Sequence, residues 1–366
     1  MAKFHFSWVQ IVVVLVGMFL LGSIPRSQAA SEPIIVRGFV STQDFPAKPG
    51  YFRDARRWGA DVLRLQLYPG RYARERHEKF QQALPSFLNV LVGEVRRAHR
   101  AGLKLVLALF NAPYSNVSQH ETHTKAYWQR AGLAPRLGYF WKAVVARIAP
   151  FRNTIWGCDI YNEPFVNTKA KYNPKLPPQW PSIAIKIINA IRTIDKKSWI
   201  VYQGTSYAGD SGFTNLKPLP EPRVIYEVHF YDPSSFTFQG LLPGFNRPVY
   251  FPGHKPGQWT KKNMVQALQP VVNFQKRYHV PIYIGEFSVI RWAPRKSAVA
   301  WLRDAISIFE SHHWSWTYHA FGEFNGWSLK YGSHYWKAGM PAPVRARHET
   351  ARAKVIRAAL KKNWNN

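Results

Sequence analysis

Cysteine is almost missing from this chain of 366 residues: Cys158 is the only one. A single thiol excludes an intramolecular disulfide and any cysteine-based metal cluster. Inside an apolar run, it reads as buried and inert. Acidic side chains are scarce too, 20 against 50 lysines and arginines, for a formal charge of +30. Such an excess favours anionic neighbours. The basic residues are spread along the sequence and no nucleic-acid-binding motif accompanies them, so specific nucleic-acid recognition is not expected. The surface reads as solvated, with an anionic envelope polymer as the partner it suits. No internal repeat, low-complexity tract or second-domain linker is found, and no glycine-rich phosphate loop follows the first apolar run.

Aromatic residues are plentiful, 15% of the chain with 15 tryptophans. They serve either a packed core or flat faces kept for flat ligands such as sugar rings. The first 30 residues have the layout of a signal peptide. Lys3 and His5 precede the apolar run Trp8–Leu21, and Ser27-Gln28-Ala29 supplies small residues for cleavage. An uncleaved N-terminal anchor is the alternative. Export to a bacterial periplasm or the cell exterior is expected, since a secreted chain without disulfides fits those compartments.

Beyond the leader, apolar and amphipathic runs alternate. Strands are expected at Ile34–Val40, Val62–Tyr68, Lys104–Phe110, Ile155–Tyr161, Trp199–Gln203, Val224–Phe230, Pro281–Phe287 and Trp314–Phe321. Helical patterns lie at Phe52–Trp58, Leu84–Arg100, Leu137–Ile148, Pro181–Ile194, Lys261–Tyr278, Ser297–Phe309 and Glu349–Lys362. The connection around Asn215–Pro222 shows only turn chemistry. Buried strands alternating with helices over this length predict an α/β fold, a (β/α)₈ TIM barrel forming one domain over residues 31–366. The stretch Phe238–Lys262 reads as a long loop after the sixth strand.

In such a barrel the chemistry sits where strands end and βα loops begin. Two apolar runs finish there in a carboxylate: IWGCDIYNEP in Glu163, and PIYIGEFSV in Glu286. The fourth and seventh strand ends face each other across the mouth, so two glutamates can flank one bond. Glycoside hydrolysis uses such a pair, one protonating the leaving oxygen and the other attacking or activating water. Read alone, either could be a structural ion-pair residue.

Asn162-Glu163-Pro164, His229-Phe-Tyr231 and Gly285-Glu286-Phe287, each on its expected strand, together resemble glycoside hydrolase family 5, the cellulase family of the retaining (β/α)₈ clan. The resemblance covers essentially the whole chain after the leader. It implies Glu163 as acid/base and Glu286 as the ionised nucleophile, with Asn162 on the sugar 2-hydroxyl. It further implies Arg64 and Tyr231 as supports of the nucleophile, and His229 beside the acid/base. Arg64 could otherwise pair Asp61 or Glu94, and His229 could be an ordinary hydrogen-bonded histidine.

Two places depart from the family pattern. Asn111 stands where a histidine usually ends the third strand. On the eighth, Trp316-Thr-Tyr-His319 puts His319 where a sugar-stacking tryptophan would fall, with Trp316 leaving the register open. Trp292 and Trp327 are further candidates for stacking, and Glu227 and Glu323 are carboxylates near the mouth. His120 and His123 read as a solvated loop, not a metal pair.

The expected activity is a retaining cleavage of β-linked glucan, as an endo-β-1,4-glucanase, on a polysaccharide or oligosaccharide, by a monomer without cofactor or metal. Another β-glycan, an exopolysaccharide or a glycolipid is the alternative substrate. A non-catalytic carbohydrate-binding protein on a hydrolase scaffold is the alternative of another class.

Overall fold

Eight parallel strands close into a barrel in a computed structural model of the chain, each strand paired to its sequence neighbours and the last to the first. The strands are β1 Arg37–Val40, β2 Val62–Leu67, β3 Lys104–Leu109 and β4 Ile155–Asp159. They continue as β5 Trp199–Tyr202, β6 Val224–Phe230, β7 Ile282–Phe287 and β8 Ser315–Tyr318. The structure describes residues 33–364 apart from 42–43, 111, 115–116, 118–120, 168–173, 254–257 and 338. The leader expected over 1–30, His120 and Asn111 lie outside the described residues. Among the described residues no helix is long and apolar enough to cross a membrane.

Alternation along each strand sorts two environments. On β2, Leu63, Leu65 and Leu67 face outward into the layer beneath the helices, while Val62, Arg64 and Gln66 face inward. Phe80–Arg100 shows the helical counterpart: Phe80, Leu84, Phe87, Leu91, Val95 and Ala98 are buried at helical spacing. Lys261–Tyr278 starts with a capping box between Thr260 and Asn263 and ends at His279 in the left-handed region, φ 52°. The helices at Leu133–Arg147, Trp180–Arg192, Arg295–Ser311 and Ala351–Leu360 also fall where the periodicity puts them. Between β5 and β6, Gly204, Gly209, Gly212 and three prolines hold the chain to 3₁₀ turns at Ser206–Ala208 and Asp210–Thr214. Phe213 in the second turn covers the core there, 5.3 Å from the Phe274 ring.

Inside the barrel, Val62, Val106, Trp156, Val201, Ile225 and Tyr283 form an apolar plug. Farther along the same strands come charges, Arg64, Asp159 and Glu227, all fully buried. Burial of charge is costly unless each group is paired. That requirement shapes the site.

Candidate active site

Arg64 is the hub. Its Nη1 donates to Glu286 Oε1 at 2.8 Å, and Nη2 to Asp159 Oδ2 at 2.5 Å and Asn162 Oδ1 at 2.7 Å. Nε lies 3.0 Å from Glu227 Oε1 as an ion pair, off the line of a hydrogen bond. The guanidinium also lies over the Phe110 ring at 4.8 Å. Neither Asp61 nor Glu94 is its partner: Asp61 accepts from the Arg37 backbone N–H at 2.7 Å, and Glu94 from the Ala47 N–H at 3.0 Å.

Glu286 reaches the mouth through an irregularity in β7. Val228 and His229 are consecutive on β6, yet pair with Ile284 and Glu286; Trp316 and Tyr318 on β8 pair with Ile284 and Phe287. The extra residue therefore sits on β7 at Gly285, and this bulge turns the next side chain inward. Only glycine fits there, because a Cβ would stand 1.5 Å from Glu227 Oε1. Glu286 Oε2 accepts from Tyr231 Oη at 2.8 Å and lies 3.2 Å from His319 Nδ1. Burial alone would raise its pKa, but His229, His319 and Arg64 outweigh burial and hold the carboxyl well below its usual range. Burial keeps Tyr231 a phenol, its pKa pushed well above 10.

Glu163 meets different surroundings. It follows β4 in the left-handed region, φ 48°, a strained place for a residue with a side chain. Its backbone N–H is tied to Gln203 Oε1 at 2.7 Å. Its side chain is 30% exposed, against 6% for Glu286, so one acid opens to the cleft while the other is enclosed. His229 Nδ1 lies 2.8 Å from Glu163 Oε1, and Nε2 lies 3.0 Å from Glu227 Oε1. Burial opposes a charge on the imidazole, but Glu286, Glu163 and Glu227 outweigh it and push its pKa up to about 10. Both ring nitrogens then carry protons and donate.

Below, Gln203 Nε2 joins Asp159, at 3.0 and 3.2 Å, to Glu227 at 3.0 Å. Burial, with Glu227 beside it, raises Asp159 well above the usual carboxylate range. Glu227 is lowered despite its burial, by Arg64 and His229. Burial thus pushes Asp159 toward its neutral form, while the cations Arg64 and His229 face the carboxylates Glu227 and Glu286.

The structure brings Glu163, Glu286, Arg64, Asn162, His229, Tyr231, His319 and Trp327 around one mouth. Trp327 stacks on Tyr231 with ring centroids 5.3 Å apart, and lies 5.1 Å from His319. Two stacking candidates go elsewhere. Trp316 is fully buried on the outward face of β8, where its indole N–H donates to Glu310 at 2.8 Å. It shares that face with Tyr318, whereas Ser315, Thr317 and His319 point inward. Trp292 is buried with its N–H on the Gln239 carbonyl at 2.7 Å, and anchors the loop after β6 instead of presenting a face. Asp159 and Gln203 escaped sequence reasoning. An aspartate four residues before Glu163 in an apolar strand was the available signal.

Glu163, His229 and Glu286 each offer an atom within 4.8 Å of the other two, close enough in principle to hold a cation. However, the His229 nitrogen is spent on Glu163 and the Arg64 guanidinium contacts Glu286, so the trio fits a carboxyl pair better than a metal. A separation of about 5–5.5 Å between carboxyls belongs to retaining glycosidases, and a wider gap to inverting ones.

The sequence profile of the cellulase family, glycosyl hydrolase family 5, matches residues 28–325. Endoglucanase C of Acetivibrio thermocellus is 28% identical over 159 residues, 37% of this chain and 46% of that protein. Cellodextrinase A of Ruminococcus flavefaciens is 21% identical over 60% of this chain and 62% of its own length. The chain thus spans about half the length of the curated relatives it matches first. Among solved structures, the cellulose synthase subunit Z of Clostridioides difficile has a TM-score of 0.67 at 20% identity, covering 89% of this chain and 99% of that one. An endoglucanase of Thermotoga maritima has a TM-score of 0.65 at 22% identity, covering 80% and 91%. These two likenesses speak for the fold alone.

Proposed function

The chain belongs to glycosyl hydrolase family 5, the cellulase family, and from that premise we propose that it is a retaining endo-β-1,4-glucanase. The observation that carries the reading is the placement of Glu163 and Glu286 within 4.8 Å of each other in unlike surroundings. Glu286, ionised and enclosed, attacks C1 of the sugar. Glu163, at the open edge, gives its proton to the leaving oxygen. A glycosyl ester on Glu286 results, and water deprotonated by Glu163 then hydrolyses it.

The surrounding groups fit those steps. Arg64 and Tyr231 hold the Glu286 oxygens in place for attack and receive its charge again when the ester breaks. Proton donation leaves Glu163 charged, and His229 is already donating to it. Asn162, its Oδ1 taken by Arg64, has its amide N–H groups left for a sugar hydroxyl.

His319 favours a second reading within the same mechanism, because it stands where the family resemblance leads one to expect a tryptophan. Another β-glycan, such as mannan, is the substrate in that case; one Thermotoga maritima relative is described in complex with mannotriose. We propose export from the leader pattern, with the basic surface keeping the enzyme near anionic envelope polymers; cell fractionation tests the first. The function is tested by reducing-sugar release from carboxymethylcellulose, mixed-linkage β-glucan, mannan, xylan and an acidic exopolysaccharide. Release from the glucans, lost in Glu286→Gln, is expected. Release from mannan alone selects the second reading. No release from any of them contradicts both.

A further inference from the structure

A groove of about 720 Å³ runs along the outer wall of the barrel, between the helices Arg295–Ser311 and Ala351–Leu360. No residue around Glu163 and Glu286 lines it. Each helix turns a stripe of helical spacing toward it. Arg295, Val299, Arg303, Ile306 and Glu310 come from the first, and Ala351, Lys354, Val355 and Ala358 from the second. The short alanine side chains of the second helix leave the space between the two open. Its floor is aliphatic, with Ile306 buried and Val299 and Val355 half-buried. Around the floor stand four exposed cations, Arg295, Lys296, Arg303 and Lys354, and none has an ion pair among the described residues. The acid at one end, Glu310, is already held by Arg37 at 2.7 Å and Lys362 at 3.1 Å. Four uncompensated cations around an aliphatic strip suit an occupant that is apolar along its middle and acidic on both sides.

We propose that this groove docks an amphipathic helix of a partner protein, with an aliphatic stripe flanked on both sides by glutamates or aspartates. The stripe packs on Val299, Ile306 and Val355, while its acids meet Arg295 and Arg303 on one side and Lys354 on the other. Arg295 to Ile306 spans about 17 Å, which accommodates about three turns of the incoming helix. Other occupants fit less well. No aromatic ring lines the groove, whereas a sugar chain is held by aromatic faces. A bilayer takes up apolar side chains that protrude, and here Val299, Ile306 and Val355 are recessed. A second copy of this chain lacks the charge: the helices Leu133–Arg147, Trp180–Arg192, Lys261–Tyr278 and Ala351–Leu360 carry no acidic residue. The leader, with Lys3 and Arg26 and no acid in its first 30 residues, lacks it as well.

The test uses a fluorescein-labelled synthetic peptide, stapled into a helix of about five turns, with leucine and alanine along one stripe and glutamate on both flanks. A second peptide has the same composition with the stripe scrambled. Both are titrated by fluorescence anisotropy against the protein at about 0.15 M salt, where exposed charges are screened beyond about 8 Å. Ala358→Trp fills the groove, and Arg303→Glu combined with Lys354→Glu reverses its rim. All three positions are exposed, and circular dichroism and thermal melts show that the variants fold. The striped peptide is expected to saturate, and the scrambled one to bind at least about tenfold more weakly. Each variant is expected to weaken the striped peptide at least about tenfold. Equal binding of the two peptides, or undiminished binding to Ala358→Trp, shows diffuse charge attraction and overturns the groove. No saturable binding of the striped peptide overturns it too. Co-sedimentation with phosphatidylglycerol vesicles is followed alongside. Vesicle capture that is lost in Ala358→Trp and is not competed by the striped peptide makes a membrane the occupant, and overturns the helix.

Discussion

Gly285 and Glu227 occupy one space: a Cβ at position 285 would lie 1.5 Å from Oε1 of Glu227. Glu227 cannot easily yield, because Arg64, Gln203 and His229 all hold its carboxylate. Gly285→Ala is therefore expected to fail as overpacking and as a broken charge network together. A loss of about 1–3 kcal/mol, or more, in urea denaturation is the expected outcome. Activity is expected to fall with it, since the bulge at Gly285 aims Glu286. A variant with wild-type stability and rate contradicts the assignment of the bulge.

Removing Arg64 leaves Glu227 and Glu286 facing each other without their cation. Arg64→Met is expected to cost about 3–5 kcal/mol in chemical denaturation. Arg64→Lys keeps the charge but not the planar fork that serves three partners at once, and is expected to recover only part of that stability.

His229 makes stability depend on alkaline pH. Its folded pKa is raised from 6.5 to about 10, so the unfolded chain loses its proton first. The resulting stabilisation is fully present below about pH 6.5 and is lost as pH rises through about 10. Its size is on the order of a few kcal/mol. Denaturation curves at pH 7 and pH 10.5 are expected to differ more for the wild type than for His229→Asn. A His229 imidazole resonance, identified by its loss in His229→Asn, that titrates near pH 7 in the folded protein contradicts the geometry of its two carboxylate partners.

Glu163→Gln and Glu286→Gln separate the two carboxyls by leaving group. Loss of the acid is expected to slow cellotetraose hydrolysis by about 10²–10⁴-fold. The same variant is expected to lose far less on 4-nitrophenyl β-cellobioside, whose leaving group needs little protonation. Glu286→Gln is expected to be inactive on both. Equal losses on the two substrates in Glu163→Gln contradict its role as acid.

Much of this architecture was legible from residue patterns, and the exceptions have physical reasons. Strand and helix positions followed from periodicity, because burial sets both. The connection between β5 and β6 showed only turn chemistry, and 3₁₀ turns are what it forms. Glu163, Glu286, Arg64, His229 and Tyr231 were marked by strand-end position and by the family resemblance. Asp159 and Gln203 were not, since their role is to hydrogen-bond neighbours that only the closed barrel brings near. Trp316 went astray because one residue of register on β8 exchanges the inward and outward faces, and His319 holds the inward one. Trp292 looked like a platform from its place after β7; its indole N–H instead fixes the Gln239 carbonyl.

In the proposed mechanism Glu163 and Glu286 carry out a double displacement. Proton NMR of the anomeric signals during the first minutes of cellotetraose hydrolysis tests it most directly. The new reducing end is expected to appear first as the β-anomer, with the α-anomer growing later by mutarotation. First appearance of the α-anomer would mean inversion by a single displacement, and would contradict the assignment of Glu286 as nucleophile.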